Sequence, residues 1–543
     1  MVAKPLPQLI LLFVTDQFRY DAFQPTVTPN LYQLSLDSKA TTFTNAYVST
    51  PTCTPARASL LTGKSPWAHG MLGYSGTVNC QEYPTTLPGM LSDLAGYETF
   101  SVGKNHFGWD KTAAYVTHDF QHLEVYDALD YEPRPDDYLQ YFHELYPGKD
   151  PLSVTCDRLG YNDWRACPYG GANETQHPTE WTTRQALRYL QEFDFSDKNQ
   201  KMFLKVSYHR PHSPYDPPQR LFDKHLHSKI EPERFVNKSS WDQQWYTTRM
   251  PKDAYHGDPG EEKAHYTRAG YLASVEFVDE GMGRILDYLR QHALLEQSLV
   301  LWTSDHGDQL GDHYLWRKGY PYEASSHINM IIKLPQGEDD SSSNSSPDFR
   351  RQNQESTTTN TEPKTSPALV EIRDVATTLY DYVGILEKVQ KRDPLVNGKS
   401  LLPILEGDET MVRSWLDLEH SVVYSHNIHW NAIVGFYPDD DVDFQQSDRR
   451  DARQESSNLL LWKYIFHVYD GDEQLFCLSR DPQETYDVSE TKPDILKHWR
   501  ATMVSQFQEE GRGEEWVRDD HLIVHRPAIT YGPNFPCKER IKA

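Results

Sequence analysis

The sequence predicts an α/β fold in which a large, mostly parallel sheet is flanked by helices and followed by a smaller C-terminal α+β domain. Two observations carry this. Short apolar runs rich in β-formers, Leu9 to Val14, Thr99 to Val102, Met202 to Val206 and Leu299 to Trp302, alternate with stretches of helical periodicity, as parallel strands joined by crossover helices do. Each run is followed at once by polar, ionisable residues: Asp16-Gln17, Lys104-Asn105-His106, His209-Arg210-Pro211-His212 and Asp305-His306. In open α/β sheets ligands bind outside the carboxyl ends of the strands, so four such clusters are expected to converge on one crevice.

A chain of 543 residues has room for two unequal domains, expected at residues 1–410 and 411–543. The run Leu9 to Val14 lacks a basic leader and a small-residue cleavage site and ends in Thr15-Asp16. It therefore reads as a buried first strand, and the expected compartment is the cytoplasm unless a leader precedes Met1. In Thr52-Cys53-Thr54-Pro55, Pro55 suits the first residue of a short helix, which would put Cys53 at an electropositive helix mouth. Leu87 to Leu94, stopped by Gly96, and Thr182 to Phe193 read as further helices. From Glu261 to Arg290 a longer one carries Tyr271, Val275, Val278, Met282, Ile285 and Leu289 at steps of four and three, an apolar core stripe.

From Gly337 to Pro367 the composition turns to Ser, Thr, Asn, Gln and charge, which predicts a disordered surface insertion. Ala368 to Val383 is a helix candidate, and Leu459 to Val468 and Gln474 to Leu478 are strands of the C-terminal domain. No run reaches the roughly 18 apolar residues of a membrane span.

Lys and Arg total 54 against 79 Asp and Glu, a net charge of −25, which argues against a nucleic-acid-binding surface. An anionic ligand must then be held by a local cationic pocket. The six cysteines, Cys53, Cys80, Cys156, Cys167, Cys477 and Cys537, are too scattered for a disulfide scaffold. Cys156 and Cys167 are close enough to close a loop, and free thiols fit that spacing equally. Sequons at Asn173, Asn237 and Asn344 matter only in a secretory compartment.

Two features bear chemistry. Cys53 is a nucleophile candidate, although an isolated cysteine more often packs as a small buried hydrophobe. Asp16, Asp305 and His306, with the amide oxygen of Gln17, suit a hard divalent cation, although a single strand-end aspartate more often caps a turn.

The stretch Cys53-Thr54-Pro55-Ala56-Arg57-Ala58-Ser59-Leu60-Leu61-Thr62-Gly63 resembles the signature of type I sulfatases, members of the alkaline-phosphatase-like superfamily. Four more segments are similar to that family. They are Thr303-Ser304-Asp305-His306-Gly307-Asp308-Gln309, Gly103-Lys104-Asn105-His106-Phe107-Gly108, Pro211-His212-Ser213-Pro214, and Lys318 in Trp316-Arg317-Lys318-Gly319. The resemblance implies an alkaline-phosphatase-like fold and a Cys53 oxidised to formylglycine by a formylglycine-generating enzyme. It also implies one divalent cation, calcium ahead of magnesium or manganese, held by Asp16, Gln17, residue 53, Asp305 and His306.

The catalytic set it implies is Cys53, Arg57, Lys104, His106, His212 and Lys318, whose basic members supply the local positive pocket. In the implied reaction the hydrated aldehyde attacks sulfur and Asp305 takes its proton. His212, with Lys318, protonates the departing oxygen, leaving a sulfated hemiacetal, and His106 then drives sulfate out by carbon–oxygen cleavage. One departure is Asp16-Gln17, where many sulfatases carry adjacent aspartates. The same pair is familiar in phosphonate monoester hydrolases.

For the organic part of the substrate, Asp163 and Arg165 in Asn162-Asp163-Trp164-Arg165, together with His177, His426 and Trp430, are the expected contributors, because carbohydrate sites pair aromatic faces with charged groups. A sulfated saccharide is the expected substrate. Small aryl sulfates, and phosphonate monoesters or phosphodiesters, are the alternatives.

Overall fold

The computed structural model describes residues 6–74, 83–106, 117–127, 136–149, 151, 164–169, 173–228, 259–336, 362–421, 429–438 and 459–536. Among them, eight strands form one sheet: β1 (Leu9–Asp16), β2 (Ala40–Tyr47), β3 (Glu98–Gly103), β4 (His122–Val125), β5 (Met202–Pro211), β6 (Leu299–Ser304), β7 (His327–Lys333) and β8 (Thr365–Glu371). Their order is β4-β3-β5-β1-β6-β7-β2-β8. β7 pairs antiparallel with β6 and β2, and the remaining neighbours pair parallel.

All of β1 is buried because both faces of the sheet are covered, which is why it reads as a continuous apolar run. Leu9, Leu11 and Phe13 share a core with Val275, Val278, Met282 and Ile285 of the helix Glu261–Gln291. Ile10, Leu12 and Val14 share the opposite one with Ala56, Leu60, Met90 and Leu379. At about 1.5–3 kcal/mol for each fully buried large apolar side chain, these two layers supply the main driving force for the fold.

The four expected strand runs are β1, β3, β5 and β6, and in the sheet they are contiguous, in the order β3-β5-β1-β6. Their polar continuations therefore emerge side by side. Between β1 and β5 the pairing jumps from Thr15↔Tyr208 to Asp16↔Pro211, so His209 and Arg210 bulge out of the ladder beside the crevice. Bulges of this kind commonly re-aim side chains next to active sites.

Several boundaries differ from expectation. The helix expected over Thr182–Phe193 is Pro178–Glu192, with Pro178 in its first turn and His177 as its cap. Ala368–Val383 is not one helix. Its first part completes β8, paired in parallel with β2, and the helix is Asp374–Tyr382. A short apolar run suits either state, and the open edge beside β2 decides it; Pro367 is tolerated because β8 is the last strand of the sheet. The expected insertion therefore ends before Thr365, and residues 337–361 lie outside the described residues. Cys167 is disulfide-bonded, while Cys80, Cys156 and Cys537 lie outside the described residues.

A second sheet follows, fully antiparallel, in the order β12-β11-β10-β9: β9 (Trp415–His420), β10 (Trp430–Pro438), β11 (Leu459–His467) and β12 (Glu473–Cys477). Its side chains alternate between two cores. Trp430, Ala432 and Val434 join Tyr47, Leu369, Tyr320 and Tyr322 of the large sheet and its loops. Ile433, Trp462 and Tyr464 meet Trp499 and Met503 of the helix Pro493–Glu509. Among the described residues, no helix is long and apolar enough to cross a membrane.

Candidate active site

Cys53 opens the helix Cys53–Thr62, capped by Thr52 in extended conformation and closed by Gly63 at φ 69°. Pro55 is its third residue, not its first. It stands immediately before Ala56, whose N–H makes a bond back to the Thr52 carbonyl at 3.1 Å, so Pro55 still occupies the turn whose N–H groups lack intrahelical acceptors. Arg57 lies one turn after Cys53, on the same face.

The Cys53 Sγ sits 3.3 Å from His306 Nε2, 3.7 Å from Lys104 Nζ and 3.9 Å from Asp16 Oδ1. Arg57 Nε donates to Asp305 Oδ2 at 2.9 Å, Nη1 to Ser207 Oγ and to the Lys104 carbonyl at 2.9 Å each, and Nη2 to Asp16 Oδ2 at 3.3 Å. Lys104 is ion-paired with Asp16. The turn carrying Lys104 and His106 follows Gly103, where φ is +87° and a Cβ would meet the Ser207 carbonyl at 2.1 Å. His106 has φ 60°, and one oxygen of Asp127 accepts from both Asn105 N (2.8 Å) and His106 N (2.9 Å), holding that left-handed turn. His106 also favours the thiolate at position 53, and the Cys53 sulfur in turn favours a proton on His212.

The electrostatics separate the two carboxylates. Burial and the Cys53 thiolate push Asp16 upward, but Lys104, His212 and Arg57 outweigh them and hold it below the usual carboxylate range. Asp305 is pushed up by burial and by the neighbouring Asp16. Burial opposes ionisation of Cys53, yet Lys104, Lys318 and His306 bring it well below an ordinary thiol. His212 is pushed down to about 3 by burial, Lys318 and Lys104. The pocket thus favours an anion at position 53.

Asp16, Cys53, Asp305 and His306 each direct one ligand atom into a common space, all within 4.8 Å of one another and all buried. Donors on opposite sides of a calcium ion with bonds of about 2.3–2.6 Å lie about 5 Å apart, so the set fits such a cation. His306 Nδ1 lies 2.9 Å from the Gly307 carbonyl, a bond that only a protonated Nδ1 can make. In neutral imidazole this leaves the Nε2 lone pair turned toward Asp16 and Asp305 oxygens, both at 3.6 Å, as expected of a metal-ligating histidine whose other nitrogen is held by a backbone carbonyl.

Gln17 follows Asp16 directly and is buried. Its amide N–H donates to Asp308 Oδ2 at 2.5 Å and its carbonyl accepts from Lys318 Nζ at 2.8 Å. Its carbonyl oxygen thus accepts from Lys318, one of the cations that act on Cys53.

Of the residues expected to hold the organic part of a substrate, Arg165, His177 and Trp430 are described. Asp163 and His426 lie outside the described residues, and Arg165 is exposed. His177 is buried, accepting from Thr179 N at 3.1 Å and lying 3.4 Å from Asp216. Trp430 is buried, its indole N–H donating to the Gly319 carbonyl at 3.0 Å. Both belong to the frame. Four partners escaped the sequence reading: Ser207, Asp308, Asp127 and His420, whose Nε2 lies 2.9 Å from Thr52 Oγ1. Ser207 and Asp308 lie within or next to the strand-end clusters, a signal that would have found them; Asp127 and His420 carry no local signal.

Three comparisons bear on this geometry. A profile of the family described as Sulfatase matches residues 8–385. The chain is 27% identical to an arylsulfatase of Clostridium perfringens, covering 96% of this chain and 98% of that one, and 23% identical to an N-acetylglucosamine-6-O-sulfatase of Bacteroides thetaiotaomicron, covering 80% and 78%. Its fold is similar to that of a phosphonate monoester hydrolase from Silicibacter pomeroyi, with a TM-score of 0.65 at 19% identity over 93% of this chain and 96% of that one.

Proposed function

The chain belongs to the sulfatase family of hydrolases, and from that premise we propose that it releases inorganic sulfate from a sulfate ester through an aldehyde hydrate made from Cys53. The observation that carries this reading is the position of the Cys53 side chain, at a helix start inside a four-donor cluster and within reach of Lys104, His106, His212 and His306. A divalent cation, calcium ahead of magnesium or manganese, would be held by Asp16, Gln17, Asp305, His306 and residue 53. When bound, it adds positive charge and Lewis acidity where the sulfate oxygens gather.

The chain's own groups divide the remaining work. Asp305, whose carboxyl is pushed up, accepts the proton of the attacking hydroxyl of residue 53. Arg57 orients both aspartates and offsets their charge. Lys104 holds a sulfate oxygen and Lys318 bridges a sulfate oxygen and the departing oxygen, each such fixed charge contributing about 3 kcal/mol to the transition state. His212, its Nδ1–H held by the Ser213 carbonyl at 2.7 Å, turns Nε2 to the departing oxygen and delivers a proton there as the imidazolium, which requires the negative charge of bound sulfate to raise it from its low value, set by burial, Lys318 and Lys104. His106 takes the proton of the remaining hydroxyl as sulfate leaves.

For the organic part, a sulfated saccharide is the substrate class proposed, supported by the glycan-sulfatase relative. A small aryl sulfate is the nearest alternative, supported by the arylsulfatase relative. A second reading, a phosphonate monoester or phosphodiester as substrate, is favoured by the neutral Gln17 beside Asp16.

The test is peptide mapping of residue 53 in a sample produced with a formylglycine-generating enzyme, together with sulfate release from an aryl sulfate. An active protein with unmodified cysteine would sink the aldehyde mechanism, and faster turnover of a matched phosphodiester would favour the second reading.

A further inference from the structure

Residue 53 and Lys318 stand on segments that the large sheet alone does not hold. Residue 53 opens a helix after the end of β2, and Lys318 lies on the irregular connection between β6 and β7. Both are tied to one pair of residues on the antiparallel sheet. His420 closes β9 and Trp430 opens β10, and the register sets them directly opposite each other, with ring centroids 6.3 Å apart.

His420 Nε2 lies 2.9 Å from the hydroxyl of Thr52, the cap residue immediately before position 53. Thr52 makes no side-chain bond to its own helix, so its hydroxyl serves His420 instead. On the other strand, the Trp430 indole N–H donates to the carbonyl of Gly319, immediately after Lys318. Gly319 has φ +92°, a conformation that leaves the chain free to swing unless it is held. Here its N–H is held by Ser325 Oγ at 3.0 Å and its carbonyl by Trp430. Lys463 of β11 adds a bond from Nζ to the Pro321 carbonyl at 2.9 Å. Thr52, His420, Trp430 and Lys463 are all buried.

We propose that the cross-strand pair His420–Trp430 is a positioning device that sets the spacing between the nucleophile at residue 53 and Lys318. The inference rests on the sulfate-ester reading above, in which Lys318 serves the leaving-group side. A misplacement of about 1 Å can cost on the order of a hundredfold in rate, and a lysine on a four-carbon stem beside a glycine needs a rigid support to avoid it. The C-terminal sheet supplies that support by bracing the two sides of the reaction from adjacent strands. Trp430 thereby has a function other than contact with substrate.

The test is a double-mutant cycle on the full chain, with the state of residue 53 checked by peptide mapping in every variant. Trp430→Phe keeps the buried ring and deletes only the N–H. It is expected to lower kcat on an unactivated alkyl sulfate about tenfold, with KM changed by less than about twofold. In a Lys318→Ala background the same substitution should have no further effect on kcat. Thr52→Val, which deletes one hydroxyl at constant shape, should lower kcat on alkyl and activated aryl sulfates by similar factors. Equal losses from Trp430→Phe in the presence and absence of Lys318, or unchanged kcat in both Trp430→Phe and Thr52→Val, overturn the proposal while leaving the functional reading intact. A wild-type protein with the aldehyde at position 53 and no activity on any sulfate ester overturns both.

Discussion

Arg57 donates from Nε to Oδ2 of Asp305 across 2.9 Å, and both side chains are buried. The same guanidinium reaches Asp16, so one helix residue organises two carboxylates that arrive from neighbouring strands. A planar, permanently charged fork suits this task, and the point charge of a lysine does not.

Arg57→Ala is therefore expected to leave two buried carboxylates without their shared partner. Removal of one member of a buried ion pair costs about 3–5 kcal/mol, to be read from chemical denaturation in the presence of chelator. Sulfate release should fall at least a hundredfold, a loss of about 2.7 kcal/mol or more. Arg57→Lys should fall between the two, because it retains charge and loses the bonds to Ser207 and the Lys104 carbonyl. Full stability in Arg57→Ala would refute this account of the pair.

Chelation should abolish sulfate release and lower the thermal midpoint, and calcium should restore both. At about a hundred times its dissociation constant, a bound cation stabilises the folded chain by about 2.7 kcal/mol. Asp16→Asn and Asp305→Asn should each remove the calcium-dependent shift of the midpoint. A midpoint indifferent to chelator and calcium would count against a cation in the cluster.

His212→Ala should reduce turnover of esters with poor leaving groups far more than turnover of activated aryl sulfates, because only the former need a proton delivered to the departing oxygen. Typical contributions of general acids are about 10²–10⁴-fold. Equal losses on both ester classes would remove His212 from that role.

Acid should destabilise the fold in a defined window. Burial, with Lys64, pushes His69 from 6.5 down to about 3, and burial, with Lys205, does the same to His118. His420 is likewise pushed to about 3, by burial and then by His306. These side chains are neutral in the folded chain and take up protons on unfolding below about pH 6.5. The unfolded state then binds more protons, so stability is fully present above pH 6.5 and is lost as pH falls toward 3, at up to about 1.4 kcal/mol per pH unit for each histidine. Unfolding free energies measured between pH 7 and 4.5 should show this slope, and His69→Gln should flatten it. Identical slopes in the two proteins would exclude His69 as a contributor.

Much of the fold was legible because its central strands are buried on both faces. β1, β3, β5 and β6 each appear in the sequence as an apolar run ending in ionisable residues. The region Ala368–Val383 was not legible in the same way. An edge strand and a helix both accept a short apolar run, and only pairing with β2 decides between them. The position of Pro55 was legible to within one turn, because every residue of that turn tolerates a missing N–H.

The chemical inventory of the site can be read from local sequence. Cys53 and Arg57 one helical turn apart, and Asp16, Lys104, His212 and Asp305 at strand ends, are local relations that strand and helix periodicity carry directly. Tertiary structure alone decided which polar residues face the reaction and which support it. Gln17 turned to Lys318, His177 became a helix cap, and Trp430 and His420 became braces, His420 through a bond to Thr52 that spans 368 residues of chain. The reason is physical: a buried polar group is used by whichever partner the packing of distant segments brings to it, and no local spacing records that encounter.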